Sequence, residues 1–218
     1  SLWHKFSSYL FISLIKLFNE RDIKIMLTPA LLHGVIKDNI SVWMTVYFVD
    51  RFAINLEKSA LFVLFIPVIG LLGRTVYPTV YKLCREREHL VSSISFVVCA
   101  ICALPLAIDI VTPLSAAILL AIIYAAVSMI NTSTLSMFPL QFTKTGNVSS
   151  VSGVMDLVTY SGAGIGSFVY GFIIKHMGYS PMYASWIVIS ILSVILIRPM
   201  LKENDLQCQA EERAEEYV

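Results

Sequence analysis

The segment LLHGVIKDNISVWMTVYF, residues 31–48, carries the charged residues Lys37 and Asp38 in the middle of an otherwise apolar sequence. A helix needs roughly 20 apolar residues to cross the hydrocarbon core of a membrane, and the sequence around this segment is long enough. Charged side chains inside a membrane are costly, and they normally face the interior of a helix bundle or a water-filled cavity. The segment therefore predicts a membrane helix with one polar face.

The composition of the whole chain also indicates a membrane protein. Of its 218 residues, 57% are hydrophobic and 14% are charged, and the mean hydropathy is +0.76. A soluble domain of this length could not hide so much apolar surface, so we expect the lipid bilayer to be its main partner. The net charge of +1 gives no reason to expect a nucleic-acid partner.

Six stretches of the sequence are long and apolar enough to predict membrane-spanning helices. They are about 25–48, 58–81, 90–108, 114–138, 148–174 and 181–200. Pro113 and Pro181 stand near the starts of two of them, where a missing backbone N–H costs nothing. We therefore predict an all-α membrane protein with a bundle of six transmembrane helices over residues 25–201.

The basic residues predict the orientation of the bundle. An even number of spans places both termini on one side of the membrane, and that side holds eleven of the Lys and Arg residues, whereas the other holds Arg51, Lys58 and Lys175. Because cytoplasmic loops are enriched in Lys and Arg, we expect both termini in the cytoplasm. The expected location is the cytoplasmic (inner) membrane of a bacterium.

The two ends of the chain differ from the bundle. In residues 1–24, apolar residues recur at three- and four-residue spacing, which predicts an amphipathic helical linker on the cytoplasmic membrane surface. Residues 202–218 are polar and predict a solvated, partly disordered cytoplasmic tail. Because the chain starts at Ser1 and lacks a secretory signal pattern, we expect a fragment of a longer protein.

Lys37 lies near the expected midplane, about twelve residues or roughly 18 Å into the first span. On a helical wheel, His33, Lys37 and Ser41 share one face, with Asp38 at its edge. The opposite face contains only Ile36, Ile40, Trp43 and Tyr47, and we expect it to meet lipid. We interpret Lys37 as a cavity residue, whereas for His33 a packing role is favoured over that of a ligand or a proton relay.

Two other spans also have polar faces at a similar depth. Asp156 and Tyr160 lie on one face of the fifth span, and Tyr124 and Asn131 lie on one face of the fourth. Together with Lys37 these residues predict the lining of an aqueous cavity. Arg74 in the second span has a depth similar to that of Asp156, so the two form a candidate ion pair with a structural or gating role, and substrate contact by either residue stays open as the alternative.

Asp38 is expected to pair with a basic residue on another helix or in a part of the protein outside this chain, because Lys37 and Asp38 are sequence neighbours and neighbours on a helix do not face each other. Gly162 and Gly166 predict a close helix–helix approach. Cys99 and Cys102 are interpreted as small packing residues, since no other metal ligands or redox partners flank them. We find no metal-ligand cluster, activated nucleophile or paired catalytic carboxylates, and we expect neither an enzyme nor a cofactor.

Two stretches carry a resemblance to a known family. KDNISVWMTVYF (37–48) resembles the first helix of the C-terminal half of organophosphate:phosphate antiporters, in which a basic residue precedes a tryptophan and a tyrosine. FPLQFTKTGNVSSVSGVMDLVTYSGAGIGS (138–167) resembles a loop and the glycine-rich helix of the same half. Six spans with cytoplasmic termini after an amphipathic linker are similar to the C-terminal half of a major facilitator superfamily transporter.

The resemblance implies a function and a missing partner. It implies a secondary active transporter, related to glycerol-3-phosphate and hexose-phosphate transporters, that moves a small organic anion, with exchange for phosphate as one option. Lys37 would be one of two basic residues that bind the anion, and the N-terminal six-helix half would supply the other. Two alternatives stay open, a non-transporting half-transporter that serves as a membrane sensor or scaffold, and a proton-coupled symporter that uses Asp156 or His33.

Overall fold

A computed structural model describes the backbone of residues 21–216 and the side chains of residues 21–198. This part of the chain is all-helical and contains no strand. Its six α-helices are α1 (Arg21–Phe52), α2 (Leu56–Leu83), α3 (Glu88–Ala107), α4 (Pro113–Thr132), α5 (Val148–Met177) and α6 (Ser180–Glu216). A π-helical segment (Ser133–Met137) and a 3₁₀ segment (Phe138–Thr145) join α4 to α5.

Five helical stretches in the described residues are long and apolar enough to cross a membrane, and they indicate an integral membrane protein. They are Leu56–Leu83, Glu88–Ala107, Pro113–Thr145, Val148–Met177 and Ser180–Arg198. The helix α1 is not among them, because its polar residues from His33 to Asn39 lower its hydropathy. The predicted count of six spans therefore reduces to five on hydropathy alone.

Local caps in the connections determine where two of the helices begin. The Asn55 side chain accepts a hydrogen bond from the Lys58 backbone N–H and caps α2. Thr112 and Ser115 form a capping box at the start of α4, and Pro113 occupies its first turn as the sequence predicted. Apart from the α4–α5 connection, which holds the π-helical and 3₁₀ segments, the connections are only two to five residues long.

The helix α1 lies at the centre of the bundle and contacts α2, α4, α5 and α6. It packs most extensively on α5, while α4 packs most extensively on α2, and α3 packs on α6. A Cβ atom at Gly162 would overlap the Leu31 carbonyl oxygen, and one at Gly166 would overlap the Asn39 side chain. The predicted close approach at these glycines is therefore confirmed, and α1 is the helix they meet.

The prediction that Ile36, Ile40, Trp43 and Tyr47 face lipid is wrong. Ile36, Ile40 and Tyr47 are fully buried, because α1 is surrounded by other helices on that side. The exposed side of α1 instead carries Ser41, Val42 and Val46. Cys99 and Cys102 are buried free thiols, so their predicted packing role is confirmed.

Both expected end segments differ from the structure where it describes them. The helix α1 begins by Arg21, so the last four residues of the expected linker 1–24 belong to the bundle, whereas residues 1–20 lie outside the described part. The helix α6 continues to Glu216. The expected partly disordered tail 202–218 is therefore helical over nearly all its length.

Candidate functional site

The charged centre of α1 contacts α4 through one amide group. The Lys37 Nζ atom donates to the Asn131 Oδ1 atom at 3.2 Å, and the His33 Nε2 atom lies 3.4 Å from the same oxygen. His33 is completely buried and Lys37 is only 8% exposed. An amide oxygen has two lone pairs, so Asn131 can satisfy both groups when His33 carries its proton on Nε2. The sequence placed these three residues in one cavity lining, and the structure brings them together.

Asp38 provides the counter-charge of Lys37. Its Oδ1 atom lies 3.4 Å from the Lys37 Nζ atom, and its side chain is 31% exposed. The expectation that these neighbours would be poor partners is wrong, because Asp38 pairs with Lys37 of its own helix. The long, flexible lysine stem lets the ammonium reach sideways to Asp38 although the two Cβ atoms diverge.

Tyr160 covers Lys37 from α5. The Lys37 Nζ atom lies 5.6 Å from the centre of the Tyr160 ring, within the range of a cation–π contact. Tyr160 is itself 60% exposed. Lys37 is therefore surrounded by a carboxylate, an amide oxygen and an aromatic face, and the two groups on its outer side, Asp38 and Tyr160, are open to the surroundings.

Asn39 is a central residue that the sequence analysis did not single out. Its side chain is buried and donates to the carbonyl oxygens of Val35 (2.8 Å) and Ala163 (3.4 Å). Its Oδ1 atom accepts from Trp43 Nε1 at 3.1 Å and from Ser167 Oγ at 2.9 Å. These contacts join α1 to α5 directly beside Lys37. The sequence does contain a signal for this role, because Asn39 is a polar residue that directly follows two charged residues in an otherwise apolar helix.

The other candidate residues lie apart from Lys37 in different settings. Ser41 is exposed on α1, and the Tyr124 ring packs against Gly70 at the crossing of α2 and α4. Arg74 is exposed on α2, and Asp156 is half-buried on α5. No salt bridge joins these two described residues, because α2 packs chiefly on α4 and α5 on α1. The candidate ion pair between Arg74 and Asp156 is therefore not formed, although the two residues were predicted at a similar depth.

An irregular helix follows Asn131 directly. The π-helical segment begins at Ser133, whose Oγ atom donates to the Glu88 carbonyl oxygen at 2.8 Å. The Gln141 side chain donates to the buried Glu88 carboxylate, whose Oε1 atom lies 3.9 Å from His89 Nε2. Single π turns inside α-helices are frequent at functional sites. Here the π turn connects the residue that holds Lys37 to a buried polar cluster at the end of the bundle.

The opposite end, where α1 meets α2, is held by exposed contacts. Arg51 donates to Asp109 at 2.8 Å, and this hydrogen bond raises the pKa of Arg51 above its usual value. The Tyr179 hydroxyl donates to Asp50 at 2.9 Å. Burial, followed by the hydrogen bond to Asp50, raises the pKa of Tyr179. These contacts tie α1 to the start of α6 and the end of α3.

The arrangement combines one buried ammonium, one half-exposed carboxylate and one amide oxygen. In the part of the chain that the structure describes, no group of three or more His, Cys, Asp or Glu side chains could hold a metal ion. Lys37 offers three N–H donors to an anion and holds them beside an exposed carboxylate. Comparisons with protein-family models, curated proteins and solved structures find no match to this chain.

Proposed function

We propose that this chain is the C-terminal half of a major facilitator superfamily transporter that moves a small organic anion by alternating access. The substrate would be a phosphorylated metabolite exchanged for phosphate, and Lys37 would bind its anionic group. In this proposal α1 is the sixth span, and its polar centre faces a cavity instead of lipid. An N-terminal six-helix half would complete the site from the open side of Lys37.

The packing order of the helices supports this assignment. The helices α1–α3 and α4–α6 form two sets of three, and the first helix of each set packs on the second helix of the other set. Both of these contacts run through glycines, Gly162 and Gly166 in one case and Gly70 and Gly73 in the other. Such an exchange is expected of the inverted three-helix repeats that build each half of these transporters.

The observation that carries the proposal is the position of Lys37. It lies in the middle of α1, which contacts four other helices, at about 24 Å along the axis from the first described residue Arg21 at 1.5 Å per residue. Its partners Asp38 and Tyr160 lie on the open side of that helix. Lys37 therefore joins α1 to α4 through Asn131 and also has two partners, Asp38 and Tyr160, that are partly open to the surroundings.

Transport by the full-length protein tests the proposal. We would preload proteoliposomes with phosphate, offer labelled phosphate and a panel of sugar phosphates, and compare the wild type with Lys37→Ala. Exchange should be lost in Lys37→Ala and retained in Lys175→Ala, since Lys175 is an exposed cation far from the site. Lys37→Arg should retain exchange, because a guanidinium binds phosphate through two parallel hydrogen bonds. Undiminished exchange in a folded Lys37→Ala protein would refute the anion site.

A second candidate function is a non-transporting membrane scaffold, and the Lys37–Asp38 pair favours it. The pair is neutral, and Asn131 satisfies a further N–H of the lysine. A scaffold predicts that the double variant Lys37→Met, Asp38→Leu is at least as stable as the wild type, since replacing a buried pair by apolar residues is often neutral or stabilising. The same double variant would be inactive in exchange if the transporter proposal is right.

A further inference from the structure

A groove between α2 and α4 lies outside the Lys37 site and has a volume of about 480 Å³. The two helices touch where Gly70 and Gly73 meet Tyr124 and Ala125, and the groove lies between them on the Lys58 side of this crossing. The walls of the groove are apolar, and they include Phe62, Phe65, Ile69, Ala117 and Ile118. Lys58 is the one charged side chain in this lining.

The dimensions of the groove match one leaflet of a bilayer. Lys58 and Ile69 are eleven residues apart on α2, which corresponds to roughly 16 Å along the helix axis. Half of the hydrocarbon core is about 15 Å thick. Lys58 therefore lies at the membrane surface when Ile69 lies near the midplane, and the groove runs between these two levels.

The charge at the surface end is available to a ligand. Arg51, at the same end of the bundle, is paired with Asp109 at 2.7 Å, whereas the Lys58 ammonium has no ion pair among the described residues. A lysine ammonium is a strong donor to phosphate oxygens. A long apolar groove with a cation at the level of the headgroups is complementary to an acyl chain that carries a phosphate.

We propose that this groove binds a glycerophospholipid, with one acyl chain along Phe62, Phe65 and Ile118 and the phosphate on Lys58. The site is independent of the anion site at Lys37 and does not require that the protein transports anything. The bound lipid fills the space between α2 and α4. It thereby covers a part of α2 that is mostly exposed in the described structure.

Native mass spectrometry of the full-length protein in mild detergent tests the proposal. Phosphatidylglycerol would be titrated against diacylglycerol with the same acyl chains, so that only the phosphate headgroup differs. We expect phosphatidylglycerol to bind about tenfold more tightly, since a hydrogen bond to a charged group is worth about a factor of ten or more. Lys58→Ala should remove this preference, and Lys175→Ala, at an exposed cation outside the groove, should leave it unchanged.

The chain offers a matched control for the apolar part of the site. A second groove, between α3 and α6, has a volume of about 210 Å³ and no charged residue in its lining. Ala117→Phe fills the first groove and should abolish the bound phospholipid, whereas Ala100→Phe fills the second groove and should not. Equal effects of the two phenylalanines, or of the two lysine substitutions, would overturn the proposal. The proposal would also be overturned if the wild type bound phosphatidylglycerol no more strongly than Ala117→Phe does. That result would indicate that another protein segment covers the groove.

Discussion

The two helix crossings that depend on glycines, α1 with α5 and α2 with α4, share a close backbone approach but differ in their side-chain contacts. In both, glycines let the backbones approach until a Cβ atom would overlap the opposite helix. The α1–α5 crossing adds the buried hydrogen bonds of Asn39 and the contact between Lys37 and Tyr160. The α2–α4 crossing, in contrast, places the Tyr124 ring against Gly70.

This difference separates what builds the bundle from what gives it a function. Lipid tails are as apolar as leucine, so close van der Waals packing is a main source of association in both crossings. Packing alone needs no charged residue, and the contacts of Gly70 and Gly73 at the α2–α4 crossing include none. The polar groups of α1–α5 are therefore additional to the packing requirement, and they mark the side of the bundle where a ligand site is expected.

The largest effect should come from Gly162→Ala at the α1–α5 crossing. The new methyl group would overlap the Leu31 carbonyl oxygen, a backbone atom that cannot move without shifting α1. We expect a loss of about 3 kcal/mol in the free energy of unfolding, at the upper end of the usual cost of overpacking. The measurement is the equilibrium unfolding of the purified protein in mixed micelles.

Gly164 supplies the control on the same helix. Nothing lies within 4 Å of a Cβ atom built at Gly164, so alanine there meets no neighbour. Because alanine is the better helix former by about 1 kcal/mol, Gly164→Ala should be neutral or slightly stabilising. Equal destabilisation by the two substitutions would show that the crossing does not depend on the close approach.

Asn39→Ala should give the second largest effect, because it removes the polar part of the same crossing. It deletes hydrogen bonds to Trp43 and Ser167 and leaves both of these groups without that acceptor. The Asn39 side chain makes four hydrogen bonds in all, and at an average of about 0.6 kcal/mol each their loss is expected to cost about 2 kcal/mol.

Thr75→Val on α2 is the matched control for Asn39. Thr75 is exposed, and its hydroxyl donates only to the Leu71 carbonyl oxygen within its own helix. Its replacement should change stability by less than about 0.5 kcal/mol. If Asn39→Ala changed the free energy of unfolding as little as Thr75→Val, the polar groups of the α1–α5 crossing would not contribute to stability. The two crossings would then differ only in function.

A smaller effect is expected for Gly73→Ala at the α2–α4 crossing. The added methyl group would meet the Ala125 carbonyl oxygen, as at Gly162, but α2 is mostly exposed and can shift outward. We expect a loss of about 1 kcal/mol in the same unfolding experiment. A loss as large as that of Gly162→Ala would mean that α2 is held as firmly as α1, contrary to its low burial.

The sequence predicted most of the helices because their apolar lengths and proline positions have a direct physical cause. It also predicted the close approach at Gly162 and the packing role of Cys99. It did not predict that Ile36 and Tyr47 are buried, because a face that meets lipid and a face that meets another helix are equally apolar. Only the number of neighbouring helices distinguishes them, and that number is a property of the fold.

The candidate site was predicted in part for a similar reason. Helical spacing correctly grouped His33 with Lys37, and depth correctly matched them to Asn131 on α4. Depth alone also suggested a pair between Arg74 and Asp156, but their helices pack on different partners. The Lys37–Asp38 contact depends on the torsions of a flexible side chain, which sequence spacing does not determine.

The smallest effect should come from the tyrosine at each crossing, and it tests whether the contact at Lys37 is electrostatic. Tyr160→Phe keeps the aromatic face over the Lys37 ammonium and should change stability little, whereas Tyr160→Leu should cost about 0.5–1 kcal/mol, the value of an exposed cation–π contact. Tyr124→Phe, at the crossing that lacks a cation, should be silent. If Tyr160→Phe cost as much as Tyr160→Leu, the hydroxyl rather than the ring would be the group that matters. Exchange by the Tyr160→Phe protein would then test separately whether the phenol also donates to the substrate.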